Sequence, residues 1–202
     1  MILYSSTTSP YVRKILVLLH ETDQLDAVQQ VTSSTAPNNP TAGLQAKNPL
    51  MKIPALERPE GATLYDSRVI CQFLDARGGG RLYPEGPRRW ETLTLEATAD
   101  GMLDAALLMT YESRLRPEDK RWETWVEAQW SKIEASCDAL NTRWISHLSG
   151  PMDMGQIAVG CALGYVDFRH GARNWRAGRD ALARWYDGFA ARASMQATVP
   201  AD

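Results

Sequence analysis

The chain has 202 residues, of which 44% are hydrophobic and 23% are charged, a composition typical of folded globular proteins that excludes a disordered chain. Its 22 basic and 24 acidic side chains give a formal net charge of −2, so the basic surplus of a nucleic-acid-binding protein is missing. No stretch approaches the roughly 18 apolar residues of a membrane span, and the first residues lack the pattern of a secretion signal.

The three cysteines are far apart and have no metal-binding spacing, so we expect reduced thiols, no metal site and a cytoplasmic protein. They are Cys71, Cys137 and Cys161, and we interpret all three as packing residues. A local run of arginines between residues 169 and 192 is interpreted as a solvated helical flank rather than a DNA site. We expect neither nucleic-acid nor membrane partners.

The first elements form a strand, helix, strand pattern. Residues 2–4 predict a strand, and a weaker strand is predicted at residues 27–32. Between them Ser9 is the expected N-cap of a helix that has Pro10 at its first position. One face of that helix is apolar, through Val12, Ile15, Leu16 and Leu19.

The next elements predict a hairpin and a second helix. Residues 33–40 are expected to form an exposed loop. Residues 54–58 and 63–65 predict two strands joined by a turn that contains Pro59 and Gly61. Asp66 should cap a helix that ends at three glycines, residues 78–80, which begin a linker over residues 78–87.

Everything beyond the linker predicts helix. The clearest helix should start near Pro117, and its apolar stripe comprises Trp122, Val126, Gln129, Trp130, Ile133, Cys137, Leu140 and Trp144. Asp153 and Gln156 predict a capping box at the start of another helix. We therefore expect a domain at residues 1–77 and an all-helical domain at residues 88–202.

Three segments of the first domain carry candidate site residues. A hydroxyl at Ser9 would lie at a helix N-terminus, where the dipole stabilises anions and lowers thiol pKa values. Ile53 precedes Pro54 and could present its backbone to a ligand as an added edge strand would. Asp66 and Ser67 begin a helix and suit an ammonium and a carboxylate. For Ser9, Asp66 and Ser67, helix capping alone is the alternative explanation.

In order along the chain, these segments resemble the glutathione transferase superfamily. The motifs are T-T-S-P-Y-V-R-K, N-P-L-M-K-I-P-A-L and L-Y-D-S-R-V-I-C-Q-F-L, followed by a helical half. The resemblance implies an α/β thioredoxin-like domain (βαβ-ββα) in front of an all-α helical bundle domain. It also implies glutathione as co-substrate, no metal, and a homodimer.

The resemblance assigns roles to individual positions. Ser9 would stabilise the glutathione thiolate, with Tyr4 as second choice. Ile53, before a cis Pro54, would pair with the cysteinyl part of glutathione. Asp66 and Ser67 would hold the γ-glutamyl end of glutathione. Lys52 would approach the glycyl carboxylate, and Thr35 is a looser match for the same carboxylate. Asp100 would reach the glutathione bound to the partner subunit.

The chain departs from the family pattern in two segments. Met51 stands where the family usually has Gly, which could reshape the rim of the glutathione site. Asp153 and Gln156 replace the usual residues of a helix cap by another capping box.

The implied activity is transfer of the glutathione thiolate to an electrophilic, apolar second substrate. Two alternatives stay open: a glutathione-dependent disulfide or peroxide reductase, and a non-catalytic binding protein of the same fold. The sequence does not identify the second substrate or the physiological role.

Overall fold

The computed structural model describes residues 1–36 and 39–201. Their contacts divide the chain into two compact units. The first comprises Met1–Pro84 and Ala193–Asp202, and the second comprises Glu85–Arg192. The last ten residues thus belong with the amino-terminal part of the chain.

The first unit is an α/β structure. Its strands are β1 (Ile2–Ser5), β2 (Gln29–Thr32), β3 (Thr35–Ala36), β4 (Asn39–Pro40) and β5 (Ala55–Glu57). Its helices before residue 85 are α1 (Pro10–Glu21), α2 (Leu44–Lys47) and α3 (Ser67–Arg77). The sheet order is β2-β1-β5, with β1 parallel to β2 and antiparallel to β5. The fold class expected for this half is confirmed.

Two expected segments differ from the structure. Residues 63–65 do not form a strand; only Leu64 pairs, in an isolated antiparallel bridge with Leu56. The pairing stays short because Arg58 donates to the Ala62 carbonyl on one side, at 3.0 and 3.1 Å, and Asp66 caps α3 on the other. The expected loop at residues 33–40 contains the β3–β4 pair, and residues 37 and 38 lie outside the described residues.

The core of this unit lies between the sheet and two helices. Leu3 on β1 and Leu56 on β5 are fully buried, as are Ile15 on α1 and Ile70 on α3. Helices α1 and α3 contact each other. The expected linker is partly folded, because the buried carboxylate of Asp75 accepts hydrogen bonds from three successive backbone N–H groups at residues 81–83.

The second unit is all-helical. Its helices are α4 (Arg88–Leu115), α5 (Glu123–Arg143), α6 (Ile145–Leu148), α7 (Met154–His170) and α8 (Asp180–Ala190). Helix α7 packs closely on α4, because a Cβ at Gly155 would lie 2.8 Å from the Leu95 Cβ. The last helix, α9 (Ala193–Gln196), belongs to the first unit.

The start of α5 differs from the expectation. Pro117 precedes a short 3₁₀ turn, Glu118–Lys120, and α5 begins only at Glu123. The carboxylate of Glu112 explains the delay, since it accepts hydrogen bonds from the Trp122 N–H at 3.0 Å and from Arg116 at 2.7 Å. These bonds hold the intervening segment out of the helix.

Three arginines of the basic run are paired with carboxylates. Their partners are Glu127 for Arg173, Asp167 for Arg176 and Asp138 for Arg179. This pairing favours the interpretation of the run as a salt-bridged helical flank. Within residues 1–36 and 39–201, no helix combines the length and the apolar character needed to cross a membrane.

The expected capping box at α7 is present. Asp153 accepts from the Gln156 N–H, and the Gln156 side chain accepts from the Asp153 N–H. Asp153 is 1% exposed, and its second oxygen binds His147, Arg88 and Thr92 at 2.7 to 3.2 Å. One buried carboxylate thus ties α7 to α6 and α4.

We predict that Asp153→Ala lowers the free energy of unfolding of the helical unit by at least about 1 kcal/mol, because it removes a helix cap and leaves buried partners unpaired. Urea unfolding followed by tryptophan fluorescence measures this, since all seven tryptophans lie in Glu85–Arg192. The matched control is Asp180→Ala in the exposed first turn of α8. An equal loss in both variants would contradict the assignment.

Candidate functional site

Ser9 lies immediately before α1, as its N-cap. Its Oγ accepts a hydrogen bond from the Val12 N–H at 3.4 Å, and Pro10 occupies the first turn, so both local predictions are confirmed. The side chain is half-buried. Its hydroxyl proton has no acceptor among the described residues, because the one hydrogen bond of Oγ is accepted rather than donated. Ser9 can therefore cap the helix and still donate to a ligand.

The sheet brings three candidate segments to one edge. Tyr4, near the carboxyl end of β1, pairs with Ala55 at the start of β5. Leu64, just before α3, pairs antiparallel with Leu56. The exit from β1, the entry to β5 and the entry to α3 consequently lie at the same edge. Ser9, Ile53 and Ser67 lie in these three connections.

Ile53 precedes a cis proline and has an open backbone. The Ile53-Pro54 peptide bond is cis, which the sequence left undecided. Ile53 is half-buried and Pro54 is buried. In the part of the chain that the structure describes, neither the N–H nor the C=O of Ile53 has a hydrogen-bond partner. This backbone can therefore pair with an extended ligand.

Asn48 holds the loop in front of Ile53. Its buried side chain donates to the Lys52 carbonyl at 2.9 Å and accepts from the Leu50 N–H at 3.0 Å. The backbone carbonyl of Asn48 accepts a hydrogen bond from the Met51 N–H at 2.8 Å. Met51 has a φ of +52°, a left-handed conformation that glycine adopts at lower cost. The Lys52 side chain is exposed.

Asp66 and Ser67 begin α3. Asp66 caps the helix by accepting from the Arg68 N–H at 3.0 Å, as expected, and its other oxygen pairs with the Arg68 guanidinium at 3.1 Å. Partial burial opposes ionisation of Asp66, but the hydrogen bonds and charge of Arg68 outweigh it and hold its pKa below the ordinary value. Ser67 is 3% exposed, and its hydroxyl has no partner within the described ranges.

Tyr4 is engaged elsewhere. Its hydroxyl donates to Glu57 at 3.1 Å, and Lys47 pairs with the same carboxylate at 2.7 Å. Burial, the hydrogen bond to Glu57 and its negative charge raise the pKa of Tyr4. A neutral phenol committed to a carboxylate is a poor donor to a thiolate, so the geometry favours Ser9 over Tyr4.

The other candidates lie outside the three connections that carry Ser9, Ile53 and Ser67. Thr35 lies half-buried in the β3–β4 pair. Asp100 lies on α4 in the other unit and is 7% exposed, which leaves little carboxylate surface for a partner molecule. All three cysteines are fully buried, and burial raises the pKa of Cys137 to about 12. Among the described side chains, no group of His, Cys, Asp or Glu is arranged to hold a metal.

Sequence reasoning missed two supports of the site. Asn48 was visible as part of an Asn-Pro motif, but its role depends on a carbonyl four residues away. The partners of Tyr4 had no sequence signal at all, because Glu57 is on another strand and Lys47 on another helix.

Comparison with known proteins decides the family. A protein-family model described as "Glutathione S-transferase, N-terminal domain" matches residues 8–77, and a second family model, described as "Glutathione S-transferase, C-terminal domain", matches residues 123–188. The chain belongs to the glutathione S-transferase family. The uncharacterized GST-like protein YibF of Escherichia coli (strain K12) is 30% identical over 204 residues, which cover 99% of this chain and 98% of YibF.

Two solved structures from Pseudomonas fluorescens Pf-5 are also similar to this glutathione S-transferase family member. The first is a glutathione transferase family member with bound glutathione, and its sequence is 46% identical to this one. The alignment covers 100% of this chain and 99% of that chain, with a TM-score of 0.96. One with bound S-(propanoic acid)-glutathione is 44% identical, covers 100% of both chains, and has a TM-score of 0.92.

We predict that Met51→Gly raises the free energy of unfolding of the first unit by up to about 1.5 kcal/mol. It relieves about 1–2 kcal/mol of left-handed strain, from which the entropy of an unfolded glycine subtracts about 0.4–1 kcal/mol. Urea unfolding followed by circular dichroism measures the change. Met51→Ala keeps the Cβ and should bring no gain, so equal stability of the two variants would refute the strain.

We predict that the charge of Asp66 stabilises the first unit above about pH 5, because its pKa is lower in the folded than in the unfolded chain. This stabilisation disappears as the pH falls from about 3.9, the pKa of Asp in an unfolded chain, through the lower pKa of the folded state. Asp66→Asn keeps a good N-cap but removes the charge. The difference in unfolding free energy between wild type and variant should therefore shrink on acidification. A difference that stays constant from pH 6 to pH 3 would show that the charge contributes nothing.

Proposed function

We propose that this protein is a glutathione transferase that ionises the thiol of bound glutathione. The thiolate sulfur then bonds to an electrophilic carbon of an apolar second substrate, which releases a leaving group such as halide or takes the electron pair into an activated double bond. The observation that carries the proposal is the Ser9 hydroxyl, which caps α1 through its oxygen while its proton has no acceptor in the described chain. A docked thiolate would supply that acceptor at the positive end of a helix dipole.

The remaining contacts orient the tripeptide. The open N–H and C=O of Ile53 would pair with the backbone of the cysteinyl residue. The Ser67 hydroxyl and the N-terminus of α3 would bind the γ-glutamyl carboxylate, with Asp66 near its ammonium. Lys52, which is exposed beside Ile53, would approach the glycyl carboxylate, with Thr35 as a second contact.

The expected gain comes from the population of thiolate. An ordinary thiol has a pKa of about 8.5 and is only a few per cent ionised at neutral pH. Lowering that pKa by one or two units raises the ionised fraction roughly tenfold or more. The thiolate is the nucleophile, so the rate of attack at neutral pH rises, although by less than the thiolate fraction, because a thiolate of lower pKa is also less nucleophilic.

The similar protein that binds S-(propanoic acid)-glutathione supports conjugation as the reaction, because the sulfur of that ligand carries an organic group. Reduction of disulfides or peroxides by bound glutathione is the alternative reaction, and binding without turnover is the alternative role. We further propose a cytoplasmic homodimer, as is usual for this family.

Three assays and one titration separate these functions. Turnover is measured with a halogenated aromatic, a hydroperoxide and a mixed disulfide. Conjugation of the aromatic supports the transferase, and turnover of only the other two supports a reductase. Calorimetric titration with glutathione completes the set, since binding without any turnover supports the binding role and no binding overturns all three.

We predict that Ser9→Ala lowers kcat at neutral pH by roughly tenfold or more, because the bound thiol loses its hydroxyl donor and its pKa rises. The dissociation constant for glutathione should change by less than about threefold, since the tripeptide contacts remain. Steady-state kinetics and a pH titration of the thiolate absorbance measure both effects.

Two controls sharpen this experiment. Ser9→Asp keeps a helix cap but replaces the donor by a negative charge, so it should be stable and still inactive. Ser67→Ala should weaken glutathione binding without changing the thiol pKa. Full activity in Ser9→Ala, or recovery of activity in Ser9→Asp, would remove the Ser9 hydroxyl from the mechanism.

A further inference from the structure

Residues 193–201, here called the strap, run antiparallel to α1 within the first unit. Ser194 donates to Glu21 at the carboxyl end of α1. Arg13, in the first turns of α1, donates to the Met195 carbonyl at 3.1 Å and to Thr198 at 3.4 Å. As the residue numbers of the strap rise, their partners thus move toward the N-terminus of α1.

The strap continues beyond α1 to the loop between β1 and α1. The Thr7 hydroxyl donates to the Ala201 carbonyl at 3.0 Å. Thr7 lies two residues before Ser9. The loop around it also contains a hydrogen bond between the Ser6 and Thr8 hydroxyls at 3.1 Å, and the Ser9 N–H donates to the Ser6 carbonyl at 3.2 Å. Thr7 itself is exposed, whereas Ser6, Thr8 and Ser9 are half-buried, so the hydrogen bond to Ala201 is the attachment of the exposed residue of this loop.

The strap is a packed part of the unit. Met195 is fully buried and Ser194 is 4% exposed. Arg13, whose guanidinium makes the central attachment, is 8% exposed. Thr198 also donates to the Ser194 carbonyl at 2.8 Å, so it braces α9 while it accepts from Arg13.

We propose that the strap positions the Ser9 hydroxyl, with Arg13 and Thr7 as positioning residues on either side of it. The backbone N–H of Arg13 closes the first helical hydrogen bond, to the Ser9 carbonyl at 3.0 Å, while its guanidinium is held by the strap, so the strap is attached one turn from Ser9. Thr7 fixes the loop from which Ser9 follows. A donor has to be held within about 0.5 Å of its productive position to stabilise a transition state or a bound anion fully.

The inference rests on the proposed function of Ser9 as the residue that binds the thiolate. It adds that residues almost the whole chain length away determine how well that hydroxyl is aimed. A strap that merely stabilises the fold would change the unfolding free energy but leave the thiol pKa of the bound glutathione unaltered.

The test uses Thr7→Val and Thr198→Val, which remove one hydroxyl each and nearly preserve shape. Thr198 lies outside the loop that carries Ser9, so its effect reports on the strap alone. We expect each variant to raise the pKa of the bound thiol by about half a unit, which lowers the thiolate fraction about threefold at a pH below that pKa. The loss is measured as kcat/KM for the electrophile at saturating glutathione, because the glutathione complex is then the free form of the enzyme. Above that pKa the variants and wild type should converge.

Binding of S-methylglutathione, which has no ionisable thiol, reports on the tripeptide cleft. Its dissociation constant should stay within about twofold in both variants, because the contacts of Ile53 and Ser67 are unchanged. The matched control is Thr142→Val on α5, whose exposed hydroxyl bonds, among the residues that the structure describes, only to the Asp138 carbonyl of its own helix. It should leave the pH profile unaltered.

The outcomes are distinguishable. The strap proposal alone is overturned if Thr198→Val leaves the thiol pKa unshifted while the wild type lowers the pKa of bound glutathione and Ser9→Ala raises it again. A uniform loss of activity at every pH, or weaker binding of S-methylglutathione, also overturns it, because the strap would then be structural. A wild type that binds glutathione without lowering the thiol pKa overturns the proposed function and the strap's role with it.

Discussion

The central position of β1 is the constraint on which the candidate site depends. β1 pairs with β2 on one side and with β5 on the other, and β5 in turn pairs with Leu64. These pairings fix the ends of three chain segments at one edge of the sheet. A shift of one residue in the β1–β5 register would turn either Leu3 or Leu56 away from the core, where both are fully buried. The same hydrophobic burial that stabilises the fold therefore sets the alignment of Ser9, Ile53 and Ser67.

At this edge, helix capping leaves polar hydrogen atoms available for the ligand contacts that we propose. The Ser9 oxygen satisfies the Val12 N–H, which leaves its proton for another acceptor. Asp66 caps α3, so the hydroxyl of the next residue, Ser67, is not needed for the cap and has no hydrogen-bond partner in the described chain. The two explanations considered for these residues, capping and function, are thus compatible. Tyr4 differs because its proton is already committed to Glu57.

The parts predicted correctly from the sequence are those decided by neighbours within one helical turn. The caps at Ser9, Asp66 and Asp153 are such cases, because the hydrogen bond closes within three residues. The start of α5 was misplaced because Glu112, ten residues upstream, binds the Trp122 N–H and delays the helix. The contacts of the strap with α1 and Thr7 span more than 170 residues, and no periodicity or motif encodes a pairing at that separation.

The geometry bears unequally on the three functions considered. Conjugation and reduction both begin with a thiolate, so a free hydroxyl donor at Ser9 serves either reaction. They diverge afterwards: conjugation leaves the sulfur bonded to a carbon of the substrate, whereas reduction consumes a second glutathione and ends in a disulfide. A protein that only binds the tripeptide would need the contacts that we propose for Ile53 and the start of α3, but would gain little from a hydroxyl donor beside the sulfur. The available proton of Ser9 therefore argues for chemistry at the thiol, and the nature of the second substrate decides which chemistry follows.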